Sequence, residues 1–421
     1  MTARRPAANF DLTGLLRRLP DPGSSQDTEL GGLLGLGVFF ALVISGRDLD
    51  LLPTTIRMAL VLAWPLVTYA FVVTGRIWIP VVYILVAAAG LRLVELQGYG
   101  GSDVLDAIWE GLGVLLAGGS PYSHTYLHTQ PPGWPVPYPP AMFLTHLPGY
   151  LLAGKDGVFY NEAASSLVVL GAFVAMAARL SWTLGLPALA AYAALGNVVF
   201  GAADGSVETS TGAVLLLAVL AVAWAWDGGW DHRRVRIAGL TGAFALAMKA
   251  STVFVVLLLA IAVWQMAGRR SALRYAGAGL ALLVALSIPF LLLGPVDYLR
   301  QLASVTGLHQ DVYGWNIWVF AQGMGWPVAS VEQARPVTIL LTLAALVLVT
   351  RQRMTSIAMA ALMGVLVTLV LFLTARWSSF IYYVLVEPIL LAVPLLAAWH
   401  DRGPTADGAA TVTPASWSDA A

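Results

Sequence analysis

The 421-residue sequence contains no cysteine, which excludes disulfides and thiolate chemistry. Charge is scarce as well: 11% of residues are Asp, Glu, Lys or Arg, against about 25% in an ordinary soluble domain. The 23 basic and 23 acidic residues cancel, which argues against a nucleic-acid partner, since that needs a basic face. Residues 1–29 carry Arg4, Arg5, Arg17 and Arg18 but lack the early apolar core of a signal peptide. They are expected to form a cytoplasmic tail, with Leu12, Leu15, Leu16 and Leu19 on one face of a short interfacial helix. No fixed-period repeat and no Gly-rich phosphate loop stand out.

Apolar residues, by contrast, make up 58% of the chain, with a mean hydropathy of +0.77. They fall in continuous runs of about 17–20 residues, the length that crosses a hydrocarbon core, and continuous runs favour helices over an alternating barrel pattern. The expected fold is all-α and polytopic, with about twelve transmembrane helices within residues 30–400. The expected spans are Leu30–Gly46, Met58–Thr74, Ile77–Val94, Val158–Leu180, Leu186–Ala203, Val207–Trp226, Ile237–Ala250, Ser251–Gly268, Tyr275–Leu293, Pro336–Thr350, Thr355–Thr374 and Ile381–Trp399. Arg233, Arg234 and Arg236, then Arg269, Arg270 and Arg274, then Arg351 and Arg353 lie in loops of one parity, which the positive-inside rule assigns to the cytoplasm. Residues 95–157 and 294–335 are then external, provided that Ala141–Ala153 stays outside as a juxtamembrane helix, and both termini are cytoplasmic. The tail 401–421, small and polar, reads as disordered.

Candidate chemistry concentrates in the external segment 95–154, which has Glu95, Asp103, Asp106 and Glu110 but no lysine or arginine. Asp103 and Asp106, three apart, project from neighbouring positions of a helix, where a carboxylate tuned by burial can accept a proton from a hydroxyl. Asp103 equally fits an N-cap, since it follows Gly-Ser and precedes a helical pattern. Lys249 and Arg376 are basic residues at expected external helix ends, where they suit a phosphate or simply snorkel to the headgroups. The deeper position of Lys249 favours function. His124, His128 and His146 raise the question of a divalent metal, but Pro121 and the Pro131-Pro132 pair oppose the helix a two-histidine site needs, so no metal or cofactor is favoured. Trp315, Asn316 and His309 in the second external loop, with Tyr122 and Tyr138 in the first, are candidate sugar contacts, although tryptophan also anchors membrane interfaces. Asp204 and Glu208 fit caps of the helix starting near Val207.

An external acid, the run Leu115-Leu-Ala-Gly118, Pro121-Tyr122, the turn Tyr138-Pro-Pro140 and the stretch Gly239 to Lys249, in that order, resemble the GT-C glycosyltransferases. The nearest resemblance is to glycosyltransferase family 87, the polyprenyl-phosphate-mannose-dependent mannosyltransferases. It implies a GT-C-like fold with external juxtamembrane helices and a polyprenyl-phosphate sugar donor. It also implies a lipid or glycan acceptor, Asp103 as catalytic base with Asp106 as its substitute, and Lys249 near the same face. Departures are the segment Asp204-Gly-Ser-Val-Glu208, the absence of a proline after Lys249, and Arg376-Trp-Ser-Ser-Phe in place of a Ser-Trp-His pattern. The expected function is therefore an inverting membrane glycosyltransferase. The rival is a transporter or flippase of lipid-linked sugars, which would place acids and broken helices within the spans.

Overall fold

The structure is a computed structural model, which describes residues 20–21, 23–45, 54–98, 102–129, 132–133, 136, 138–204, 206–304, 312–327 and 330–403. His309, the leucines of the expected interfacial helix and residues 404–421 lie outside the described residues. In chain order the α-helices are α1 Ser25–Ser45, α2 Thr54–Thr74, α3 Trp78–Gly98, α4 Asp103–Leu116, α5 Ala141–Arg179, α6 Trp182–Ala194, α7 Gly196–Asp204 and α8 Glu208–Asp227. There follow α9 His232–Met248, α10 Val253–Leu293, α11 Pro295–Ser304, α12 Ile317–Gly323, α13 Val331–Thr350, α14 Ile357–Thr374 and α15 Glu387–Asp401. The fold is all-α; its strand content among the described residues is a two-residue parallel pairing of β1 Tyr313–Gly314 with β2 Trp377–Ser378. Nine of the described helical stretches are long and apolar enough to cross a membrane, or ten when the bent pair α6–α7 is taken as one span.

Three breaks shape the bundle. At Ala153–Gly154 (Gly154 φ 58°, ψ −130°) helix α5 divides into a short arm, 141–152, and a long one, 155–179. The arms pack closely enough that a Cβ on Gly149 would sit 2.2 Å from the Gly157 carbonyl oxygen, so only glycine fits the crossing. Gly268 (φ 80°) likewise divides α10, and α6 meets α7 at 55°.

Buried charges hold these broken ends. The carboxylate of Asp27, fully buried on α1, accepts from Ser181 Oγ at 2.7 Å, Trp182 N at 2.9 Å and Thr183 N at 3.1 Å, filling the N-terminus of α6. At the other end of α6 the buried Arg92 of α3 donates to the carbonyls of Tyr192 and Ala193, both at 3.1 Å, and to Ser166 Oγ at 2.7 Å. Asp27 thus moves the start of the helical domain back from Leu30 to Ser25. One end of the bundle gathers residues 179, 227, 265, 354 and 402, through the Arg179–Asp227 pair at 2.6 Å, Arg402 on the Arg179 carbonyl, and Gln265 bound by Met354 N. The opposite end gathers 102, 138, 204, 208, 249 and 382.

Candidate functional site

Asp103 is the first residue of α4, and Ser102, extended at φ −91° and ψ 154°, holds the N-cap position without a side-chain cap bond. The N-cap alternative for Asp103 is therefore corrected: an aspartate inside the first turn has the favourable end of the helix dipole but not the capping position. Ser102 N donates to the Asp204 carbonyl at 3.0 Å, joining the start of α4 to the end of α7. The two aspartates separate in role. Asp106 pairs with Lys155 at 2.5 Å, and the Lys155 ammonium also lies 5.4 Å from the Trp109 ring centre, so Asp106 ties α4 to the α5 break.

Lys249 sits in extended backbone (φ −152°, ψ 126°) between α9 and the 3₁₀ turn Ala250–Thr252. Its ammonium pairs with Glu208, the first residue of α8, and lies 4.3 Å from the Tyr382 ring centre and 5.7 Å from that of Tyr138. The Lys249 side chain is 12% exposed and that of Glu208 1%. Each charge complements its helix, the anion at an N-terminus and the cation at a C-terminus. Glu208 follows Val207, a β-branched residue at φ 66°, where the left-handed conformation costs about 1–2 kcal/mol. The bonds from Thr211 N at 3.0 Å and Thr211 Oγ1 at 2.6 Å to the Val207 carbonyl offset that strain. Burial first, then neighbouring Glu208, Tyr382, Asp103 and Asp204, pushes the Tyr138 phenol well above its ordinary range, so it remains a proton donor at neutral pH. Tyr138 thus stands beside the Lys249–Glu208 pair, at the end of the bundle where the Ser102–Asp204 backbone bond joins the start of α4 to the end of α7.

Behind this cluster Glu162, in the long arm of α5, accepts from Ser210 N at 2.8 Å and supplies the N-terminus of α8 with a cap from another helix. Its other oxygen lies 2.9 Å from His146 Nε2, and His146 Nδ1 lies 2.9 Å from the Met142 carbonyl, with both side chains fully buried. The chain neighbours of Tyr138 and Lys249, Pro139 and Ala250, wall an apolar cavity of about 240 Å³ together with Pro140, Ala247, Leu283 and Tyr298.

The remaining candidates spread out. Tyr122 is a core residue packed on Phe143, Phe290 and Tyr298, and its hydroxyl donates to the Tyr138 carbonyl at 2.7 Å, so it positions Tyr138. Asn316, fully buried, accepts from Trp318 N and Val319 N at 3.0 Å and donates to the Tyr313 and Arg376 carbonyls, which commits its amide to the turn before α12. Arg376 contributes its carbonyl to that turn and a half-buried guanidinium. Trp315 is 59% exposed beside Phe380 and Tyr383. His124 and His128 both turn to Glu110, away from His146. Among the described residues no three His, Cys, Asp or Glu side chains gather as metal ligands.

Sequence reasoning missed Glu208 as the partner of Lys249, Tyr382 as a ring over it, and the His146–Glu162 pair. The signal for Glu162 was available, as an acid inside an apolar run; Tyr382 gave none, because tyrosine near a helix end is commonplace. No family model, curated protein or solved structure matches the chain. What the fold defines is an all-α protein with multiple apolar helices of membrane-crossing length, carrying a buried cluster of charges at one end.

Proposed function

We propose that the protein is a membrane glycosyltransferase that moves a sugar from a polyprenyl-phosphate donor to a lipid or glycan acceptor, as the resemblance to glycosyltransferase family 87 implies. The observation that carries this reading is the buried Lys249–Glu208 pair beside the Tyr138 ring, at the end of the bundle where the start of α4, with Asp103, is joined to the end of α7. Asp103 takes the proton of the acceptor hydroxyl. The freed oxygen attacks the anomeric carbon from the face opposite the phosphate, and the sugar–phosphate bond breaks with its electron pair going to the phosphate oxygen. Lys249 stabilises that leaving oxyanion while the prenyl chain rests against the apolar wall. Asp106 is the weaker base candidate because Lys155 already holds it.

The topology that goes with this reading has twelve crossings. To the nine apolar stretches are added α6–α7 as one bent span, the second half of α10 beyond Gly268, and α9. With the arginine clusters cytoplasmic, both termini are cytoplasmic and the site faces outward. Transfer of label from a radiolabelled polyprenyl-phosphate sugar to endogenous acceptors in membranes tests the proposal. Asp103→Asn is expected to lose about 10²–10⁴-fold in rate with insertion intact. Near wild-type transfer by Asp103→Asn would remove the base from this loop.

A second reading, a transporter of lipid-linked sugars, draws on the bend between α6 and α7 and on the ionisable groups within spans. Its discriminating measurement is movement of a fluorescent lipid-linked sugar across proteoliposomes in the absence of any transfer product.

A further inference from the structure

At the end of the bundle opposite Lys249, the loop between α13 and α14 and the first half of α10 enclose a cavity of about 370 Å³. Its lining is unlike the apolar wall beside Lys249: Arg351, Gln352 and Arg353 from the loop, Thr350 at the end of α13, and Trp264 and Gln265 from α10. No acidic residue lines it, and among the described residues neither arginine has a salt-bridge partner. The loop is fixed over the cavity by Met354 N, which donates to Gln265 Oε1 at 2.6 Å. Arg351 stands at the C-cap of α13, where the helix dipole by itself favours a cation. That dipole does not reach Arg353, two residues past the helix, which the positive-inside pattern places on the same face.

The surroundings are lipid-like. Helix α13 packs mainly on α14 and little on α10, which leaves apolar side chains of both helices outward next to the cavity. Leu257 at 39%, Val347 at 47% and Leu348 at 63% exposure are outward apolar side chains of these two helices. Trp264, 58% exposed, has the amphipathic ring that settles at headgroup depth.

We propose that this cavity binds the phosphate headgroup of an anionic phospholipid, with Arg351 and Arg353 on the phosphate oxygens and the acyl chains against the outward apolar side chains of α10 and α13. Two guanidinium groups without a carboxylate partner are a match for a phosphodiester, and the exposed apolar side chains beside them, with Trp264 at headgroup depth, favour a lipid over a free anion. The site stands independently of the glycosyltransferase reading.

The test uses the full chain purified in mild detergent with equal amounts of phosphatidylglycerol and phosphatidylcholine, and native mass spectrometry to count retained lipids. Wild type is expected to retain phosphatidylglycerol with about tenfold preference. R351Q/R353Q should lower that preference to that of the bulk mixture. R233Q/R236Q, in the first turns of α9 on the same side, should leave it unchanged. Should R351Q/R353Q fail to fold by size exclusion, R353Q alone, beyond the helix end, serves in its place. The proposal is overturned if wild type shows no preference, if the arginine variant keeps it, or if R233Q/R236Q abolishes it equally. Displacement of the lipid by inorganic phosphate at equal concentration would reduce the site to a free-anion pocket and overturn the lipid assignment.

Discussion

Replacing Lys249 by methionine removes the ammonium while retaining much of the apolar stem, and the structure shows what that leaves behind: Glu208, 1% exposed, without its counter-charge. Breaking a buried pair by deleting one partner costs about 3–5 kcal/mol. The carboxyl has an alternative, protonation, and neutralising an ordinary glutamate at pH 7 costs about 3–4 kcal/mol. The cheaper route sets the ceiling, so Lys249→Met should lose about 3–4 kcal/mol, a fall on the order of 5 °C in the melting midpoint in detergent. The sign of its pH dependence follows. Lowering pH from 7 toward 5 makes protonation of the orphaned carboxyl cheaper by about 1.4 kcal/mol per unit, so the deficit of the variant shrinks. Adding Glu208→Gln removes the orphaned charge and should recover most of the midpoint, yet donor-dependent transfer should stay lost because the phosphate partner is still missing. Stability is read by a thermal shift series at pH 5, 6 and 7, and donor dependence by saturation with a polyprenyl-phosphate sugar. A single Lys249→Met variant that melts with wild type and saturates normally would refute both the buried-pair energetics and the phosphate role.

Asp106→Asn should lose the Lys155 pair, half-exposed at 43% on the lysine side, and so cost at most about 1 kcal/mol with transfer largely retained; a loss of transfer matching that of Asp103→Asn would reverse their roles. Arg92→Met strips bonds from two α6 carbonyls and Ser166 at a fully buried position and should destabilise by about 3–5 kcal/mol, seen as poor recovery of folded protein; wild-type melting would mean that α6 needs no such cap. Ser330→Cys and Gln352→Cys, both exposed, should label oppositely with an impermeant thiol reagent in sealed cells, the first reacting and the second not, against a background free of native cysteine. The reverse pattern would turn the site inward and remove the lipid-linked donor from its proper face.

The spans were largely legible because apolar length alone decides them: Met58–Thr74 was read and Thr54–Thr74 is found, Thr355–Thr374 was read and Ile357–Thr374 is found. The short arm of α5 was legible too, from its bounding prolines. What the residues did not announce were bends and partners. The span read as Leu186–Ala203 is two helices meeting at Leu195, whose extended backbone (φ −62°, ψ 122°) precedes Gly196, a single glycine that the continuous apolar run around it masks. Pairing depends on which helices become neighbours, so Glu208 read as a cap and is instead the counter-ion of a lysine contributed by α9. Asn316, read as a sugar contact, is consumed by four bonds to backbone, a use of its amide that only the folded turn defines.

Those partners also separate the buried charges by task, which bears on where chemistry can occur. Asp27 and Glu162 accept from backbone N–H groups at helix N-termini, and Arg92 donates to carbonyls at a C-terminus, so each satisfies groups that a broken helix leaves open. Such charges are explained by the bends alone, and the rival transporter reading therefore gains little from them. Lys249 differs. It has three N–H donors, and its ammonium has one acceptor among the described residues, Glu208, with aromatic rings of Tyr138 and Tyr382 covering other sides. The Glu208 carboxylate and the C-terminus of α9 both favour that ammonium, which the bends alone do not explain. On the glycosyltransferase proposal the remaining donors of this ammonium would meet the donor phosphate, and the proposed reaction depends on that contact.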